Sequence, residues 1–527
     1  MARGKTGRHT RRTKRTTPRR WLPFLALVGL TTGAVVVTGQ TSEPVRTSAI
    51  VEAPSAELPV AAEPDALSTA WYCAAGTARG DGGAAELSVV IANLAGRGTT
   101  AEVVVTGSNG ERRRTVVEVP ASGRTRVVGS EILSSAWIGM TVEVLGGRAT
   151  VEREVSGPLG IDVSPCSSNA AARWYIPSGS TVQGVAEHLV LFNPFPDATS
   201  VDITFATDAG RRAPRALQGL SIPGRALRVV PTDDLPAARP ELATKVTART
   251  GRIVVDRVQT YDGTGDTVTG TGADPVATDA PTGLAATAAI GTTATRWFFP
   301  AGINSPGTRT QLAVYNPGTR AAEVDVTVTY EEPDLLAEVE PIALTVRGGD
   351  QQLVDLTDVA GIVVGAAYII DVRSIQGVPV VAEQLVFGAV PVAAPGPPAE
   401  AEPAAAVSGF AVVAGSPVAA GQWFLASRGA RNPSVVVANP GARSVTVTVE
   451  QVVEGGRSKV EAATVEIPAG DRRVLDLREA ALNPALLVRA DGPVVVSHSL
   501  VANEGDGIAQ ALATPLPETV VELPGGG

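Results

Sequence analysis

The sequence predicts an all-β protein of four tandem Ig-like antiparallel β-sandwich modules behind an N-terminal membrane-targeting helix and stem. Three observations carry this prediction. A short aromatic phrase occurs four times: AWYCAAG from Ala70, RWYIPSG from Arg173, RWFFPAG from Arg296 and QWFLASR from Gln422. Each phrase is followed by the same succession of short apolar runs broken by Gly, Pro and Asn, and EVDVTVTY alternates at every step, the period of a half-buried strand. No segment carries a long amphipathic helical pattern.

The chain opens on a basic cytoplasmic tail: residues 1–20 hold nine Lys or Arg and no acid. Residues 21–39, WLPFLALVGLTTGAVVVTG, follow as an uncharged apolar run, the layout of an export signal with its positive end in the cytoplasm. Both a signal anchor and a cleaved signal peptide fit. A cleaved apolar core has about 7–15 residues, this run is longer, and its one candidate cleavage site, Val37-Thr38-Gly39, is weak. A spanning anchor needs about 17–25 residues, which the run just meets, so the anchor is preferred. The protein is expected at the cell membrane facing the extracellular side, or secreted if the signal is cleaved. Residues 40–69, rich in Pro, Glu and Ala, read as an extended stem.

Beyond residue 20 the net charge is −18, which argues against nucleic acid as a partner. Sandwiches are placed at 70–167, 173–263, 296–388 and 422–520, with about seven short strands each. Linkers separate some of them: 264–295, rich in Thr, Ala and Gly, and the Pro/Ala-rich 389–421. Parts of both are candidates for a final strand. Residues 521–527 form a tail. Each module is expected to fold independently, and the four to form a rod with few contacts between the third and fourth.

Within each copy a Trp precedes an Asn by 22, 19, 19 and 16 residues in turn. Trp71, Trp174, Trp297 and Trp423 are read as core anchors, because a residue recurring at one structural position is more often core than ligand. The alternative is a Trp platform for sugar rings. Asn93, Asn193, Asn316 and Asn439 mark strand-end turns, three of them as Asn-Pro, where proline cannot continue the ladder.

The pattern W-[YF]…N-P…V-x-V…P-x-G…V-V-x-E-[RQ] resembles a repeat of unknown function in exported actinobacterial proteins, and a similar repeat occurs in large surface proteins of other bacteria. The likeness covers nearly everything from Trp71 on. The first copy departs at Asn93-Leu94, and the fourth has Ser497-His498 in place of the acidic position. The resemblance implies an exported, sandwich-built envelope protein and brings no catalytic residues with it.

Chemistry is sparsely signalled. Of three histidines, His9 lies in the basic tail, while His188 and His498 fall in different copies and read as strand residues at a sheet edge or surface. No zinc-protease helix motif, nucleophile elbow or C-x-x-C is present. Glu152, Asp256 and Glu383 recur one per module. Catalytic pairs are usually unique, so these acids are expected to satisfy donors near a sandwich edge. YDGTGD (261–266) and NEGDG (503–507) lack a full calcium-loop spacing and read as glycine turns. RGD at 79–81 carries little weight in so Arg- and Gly-rich a chain. LPETV (516–520) lacks the apolar, basic-ended tail of a sortase signal. Cys73 and Cys166 bracket the first module and are expected to form a disulfide outside the cell.

The sequence thus points to a non-enzymatic envelope protein, membrane-bound through residues 21–39, with a structural or partner-binding role and neither cofactor nor metal. Envelope proteins or wall glycan are the expected partners. A wall-glycan-binding protein is the alternative, and an exported hydrolase is the least supported.

Overall fold

The computed structural model describes residues 58–525, apart from residue 234 and segments 266–267, 270–276, 279–280, 332–338, 392–405, 427–430, 454–455, 476, 478–484 and 503–506. The expected membrane-targeting run and most of the stem lie outside the described residues. Among those described, no helix is long and apolar enough to cross a membrane.

The fold is all-β, and the first three sandwiches have eight strands each rather than about seven. In the first, β1 (Ser68–Cys73), β6 (Ile138–Leu145), β3 (Thr99–Gly107) and β4 (Arg112–Val119) form one antiparallel sheet. The facing sheet is β5 (Gly123–Val128), β2 (Glu86–Asn93), β7 (Ala149–Gly157) and β8 (Gly160–Pro165). The second sandwich repeats this order. One sheet holds β12 (Leu220–Ile222), β11 (Thr199–Thr207), β14 (Leu242–Ala248) and β9 (Arg173–Ile176). The other holds β13 (Ala226–Pro231), β10 (Val185–Asn193), β15 (Val254–Asp262) and β18 (Thr282–Ala288), and β16 (Val268–Thr269) pairs with β17 (Ala277–Thr278) before β18.

In the third sandwich, β19 (Arg296–Ile303), β24 (Ala367–Ser374), β21 (Ala322–Tyr330) and β22 (Ile342–Val346) face β23 (Gln351–Asp355), β20 (Thr308–Tyr315), β25 (Val381–Pro391) and β26 (Ala406–Ala414). The fourth has β27 (Val418–Leu425), β28 (Arg431–Ala438), β29 (Val445–Val453), β30 (Gly456–Ile467), β31 (Arg472–Val474) and β33 (Ile508–Leu512). Its long β32 (Ala485–Val501) serves both sheets, and β34 (Thr514–Pro515) and β35 (Val520–Glu522) edge β27. The segments read as linkers therefore supply the eighth strands, β18 and β26.

The rod expected from the sequence is not what forms. The described residues from 58 on make one compact unit. The last strands of the four sandwiches pack in a closed cycle: β8 on β18, β18 on β26, β26 on β33, and β33 on β8. Apolar clusters cross the joints. Val190, Phe192 and Leu284 of the second sandwich belong to the core of the first, and Phe424 and Leu487 of the fourth join Val90 and Leu94 of the first. The reason lies in strands buried on both faces. β21 alternates, with Val324, Val326 and Val328 inward, but β2 after Glu86 and β10 from Leu189 to Asn193 are buried side chain after side chain. A continuous apolar run needs cover on both sides, and a neighbouring sandwich provides it.

Candidate functional site

The repeated polar residues come together at the joints between sandwiches. Trp71, Trp174, Trp297 and Trp423 are all within 3% of complete burial, as core anchors should be. Three of the indole N–H groups donate to the carbonyl opposite the repeat asparagine: Trp174 to Ile253 at 2.9 Å, Trp297 to Val380 at 2.8 Å and Trp423 to Val494 at 2.9 Å. Trp71 Nε1 has no acceptor among the described residues.

The residues just after each Trp leave the core and meet the next sandwich. The Ala74 amide donates to Asp256 Oδ2 at 2.7 Å, joining the first sandwich to the second. The Ser178 hydroxyl donates to Glu383 Oε2 at 2.6 Å, joining the second to the third. The Ala426 amide donates to Glu152 Oε1 at 2.7 Å, joining the fourth to the first. Glu152, Asp256 and Glu383 do satisfy donors, as expected. They lie between sandwiches, however, and not at the edge of one. Guanidiniums pair with the acid at two of these joints, and at the third Arg124 donates to the Ala426 carbonyl at 2.9 Å. Arg153 Nη1 lies 2.5 Å from Asp256 Oδ2, and Arg257 Nη2 lies 3.5 Å from Glu383 Oε2. Burial pushes the Asp256 carboxyl up, and the Arg153 charge opposes that shift.

The joint of third and fourth sandwiches has Ser497-His498 at the acid–base positions and is built differently. Gln510 donates to the Ala301 carbonyl at 2.8 Å, and buried Arg472 donates to the carbonyls of Gly302 and Tyr368, both at 3.3 Å. Arg472 also lies 3.1 Å from Glu331.

A glycine stands five residues before the last-strand partner of each acid position: Gly160, Gly283, Gly409 and Gly507 for Pro165, Ala288, Ala414 and Leu512. Close approach explains three of them, Gly507 by the Ile161 amide nitrogen 2.9 Å from where a Cβ would stand. A Cβ on Gly283 would lie 2.3 Å from Phe410 N, and one on Gly409 would lie 2.6 Å from Ile508 N. Sequence reading missed this phrase because two copies fall in segments read as linkers. The fourfold Gly-apolar dipeptide was the available signal.

The four asparagines share one bonding scheme. In Asn316, Oδ1 accepts the Gly318 amide at 3.0 Å, while Nδ2 donates to Arg320 O at 2.7 Å and Val346 O at 2.9 Å. Asn93, Asn193 and Asn439 do the same with their own turns. The first copy keeps the scheme with Leu94 after its asparagine, so the amide side chain fixes the turn and the proline is secondary.

Cys73 and Cys166 form a disulfide, S–S 2.05 Å, which ties β1 to the segment after β8. Neither folded histidine sits at a sheet edge. His188 lies in β10 between β13 and β15, its ring 4.8 Å from that of Trp137 in the first sandwich, and burial pushes its pKa down. His498 is buried in β32 between β28 and β33. His9 lies outside the described residues, as do residues 503–506 of the NEGDG turn. In the YDGTGD turn, Asp262 Oδ1 accepts both the amide and the hydroxyl of Thr264. LPETV is part of the fold: the Leu516 amide donates to Gln422 O and Thr519 Oγ1 accepts the Gln422 amide. Among the described residues no group of three His, Cys, Asp or Glu is placed to hold a metal ion.

The chain matches a family of unknown function (DUF5719) over residues 147–281 and 258–521. No curated protein matches it. Among solved structures it is similar to Thermotoga maritima 1070, at 21% identity over 23% of this chain and 93% of that one, with a TM-score of 0.17. A tetra-tandem repeat from the extending region of a large adhesion protein aligns at 13% identity over 82% and 93% of the two chains, with a TM-score of 0.11. A Streptomyces avermitilis α-L-rhamnosidase complexed with L-rhamnose aligns at 12% identity over 76% and 53%, also with a TM-score of 0.11. Likenesses this distant carry no argument about function.

Proposed function

The chain belongs to that family of unknown function, and from this premise we propose that it is a non-catalytic scaffold of the cell envelope. In this reading residues 21–39 hold it in the membrane and the four-sandwich ring stands outside, presenting a rigid surface to envelope partners. One observation carries the proposal. The recurring acids, which are the best candidates for chemistry in the sequence, are buried at the joints and already engaged in holding one sandwich to the next. A group so enclosed has no route to substrate. The disulfide supports an extracytoplasmic setting, where such bonds persist.

The wall-glycan alternative rested on exposed tryptophans, and the four repeat tryptophans are buried. One surface still open to it is a cleft of about 370 Å³ at the joint of second and third sandwiches, where Tyr261, Glu241, Arg309 and Gln311 meet.

Two experiments test the scaffold reading. Membranes carrying the full chain are washed with carbonate, and the protein is expected to stay bound with its basic N-terminus intact. A soluble form starting near Gln40 would overturn the anchor. Purified residues 41–527 are then mixed with soluble wall glycan, and no retention is expected. Retention that is lost in Arg309→Ala would establish the glycan reading instead.

A further inference from the structure

The second sandwich meets both neighbours through buried charges that do not balance. At its joint with the first, the Arg153 guanidinium stands against two carboxyls, Asp256 and Asp162, and none of the three is more than 2% exposed. Asp256 takes the ion pair. Asp162, on β8, instead accepts two backbone amides, from Ala286 at 2.6 Å and from Val163 at 2.8 Å. At the joint with the third sandwich, Arg257 stands against Glu383 and Glu187, all at most 1% exposed. Glu383 takes Arg257 and Ser178. Glu187, on β10, makes no well-formed hydrogen bond with either oxygen among the described residues, and is supported only by the Arg257 charge and, more weakly, the Ser180 amide dipole. Asp233 and Glu383 add negative charge around it, and the nearby Tyr261 phenol is kept neutral by burial.

Neither acid is needed to build a sandwich. At the place of Glu187, six residues before the repeat asparagine, the other copies have Leu87, Thr310 and Pro433. At the place of Asp162, two residues after the repeat glycine, they have Ala285, Ala411 and Ala509. Each joint therefore holds one acid more than its guanidinium can neutralise. A second bare carboxylate in such a site is far costlier than a neutral acid.

We propose that the two joints of the second sandwich are proton locks, each closed by a proton on its extra carboxyl, Asp162 at one and Glu187 at the other. The ring tightens as its surroundings acidify and loosens as they become alkaline. Burial pushes Asp162 up to about 7, opposed by the Ala286 amide and by Arg153 and Arg257. Burial pushes Glu187 up to about 8, opposed by Arg257 and reinforced by Glu383 and Asp233. Between the ordinary carboxylate range and these values the folded chain binds more protons than the unfolded one. Stability therefore falls as pH rises through that window and levels off above it. The device is independent of what the ring binds.

Urea unfolding of the full-length chain from pH 5 to pH 9 tests it, with tryptophan fluorescence as readout. Each lock should raise the unfolding constant by up to tenfold per pH unit inside its window. Glu187→Gln and Asp162→Asn should each exceed wild type in stability by a margin that grows from pH 5 to about pH 8 and pH 7 respectively, then levels off, and each should remove up to one proton from the slope. The double variant should be nearly flat. An infrared band of protonated carboxyl near pH 6 should weaken in each variant. A wild-type profile that is flat or rises with pH overturns the proposal. So do variants that lose stability equally at every pH, and a carboxyl band unchanged by both substitutions. Should a variant fail to fold, the wild-type slope and band still decide.

Discussion

The carboxylate of Asp256 accepts the backbone amide of Ala74, 182 residues earlier in the chain, while Arg153 ion-pairs with the same oxygen. Residues from two sandwiches thus converge on one buried atom. Asp256→Asn should break the Arg153 ion pair and leave Asp162, which Arg153 does not bond, as the one carboxyl near it, at a cost of about 3–5 kcal/mol. Denaturant unfolding at neutral pH measures it. A loss below about 1 kcal/mol would mean that Asp162 takes over the Arg153 charge or that water reaches the joint.

Shared cores make the sandwiches interdependent. Trp423→Ala removes a buried ring and should cost about 3–5 kcal/mol. The sequence alone predicted that the other three modules would keep their melting. The closed cycle of β8, β18, β26 and β33 predicts that the whole unit melts lower together. Residues 415–520 expressed alone should not melt cooperatively, because Phe424, Leu487 and Ile508 lose the neighbours that bury them. Calorimetry of the variant and the fragment separates the two pictures.

Asn316→Ala deletes one acceptor and two donated bonds at a buried turn. Each lost bond is worth about 1 kcal/mol and buried groups left unpaired add to that, so a fall of about 2–4 kcal/mol is expected by chemical denaturation. Pro317→Ala should cost far less, since Leu94 already replaces the proline in the first copy without loss of the asparagine scheme.

The indoles offer a paired comparison. Trp297→Phe gives up the bond to Val380 O, whereas Trp71→Phe removes a buried donor that has no acceptor among the described residues. The first should be more damaging, by about 1–2 kcal/mol. Equal losses would show that ring volume alone decides.

Non-reducing peptide mapping should link the Cys73 and Cys166 peptides. Cys73→Ser opens a loop with a sequence separation of 93 residues and should cost about 4–5 kcal/mol in the chain-entropy model. Free thiols in protein recovered from outside the cell would contradict the bond.

Local patterning determined much of this molecule by itself. Alternation in stretches such as EVDVTVTY names strands, because a strand with one wet face must alternate. The recurring Trp and Asn mark sandwich starts and turns, and the Cys73–Cys166 pairing follows from having two cysteines around one module. The closed ring was decided only by tertiary structure. SVVIAN and HLVLFN are apolar at consecutive positions, which says that both faces are covered but not by what. Glu152, Asp256 and Glu383 read as repeated acids, yet each finds its donor in a different sandwich, at separations from 182 to 274 residues. A sequence period reports what each copy must do for its own core. Which copy's amide fills which carboxylate depends on four sandwiches closing on one another, and no local pattern carries that.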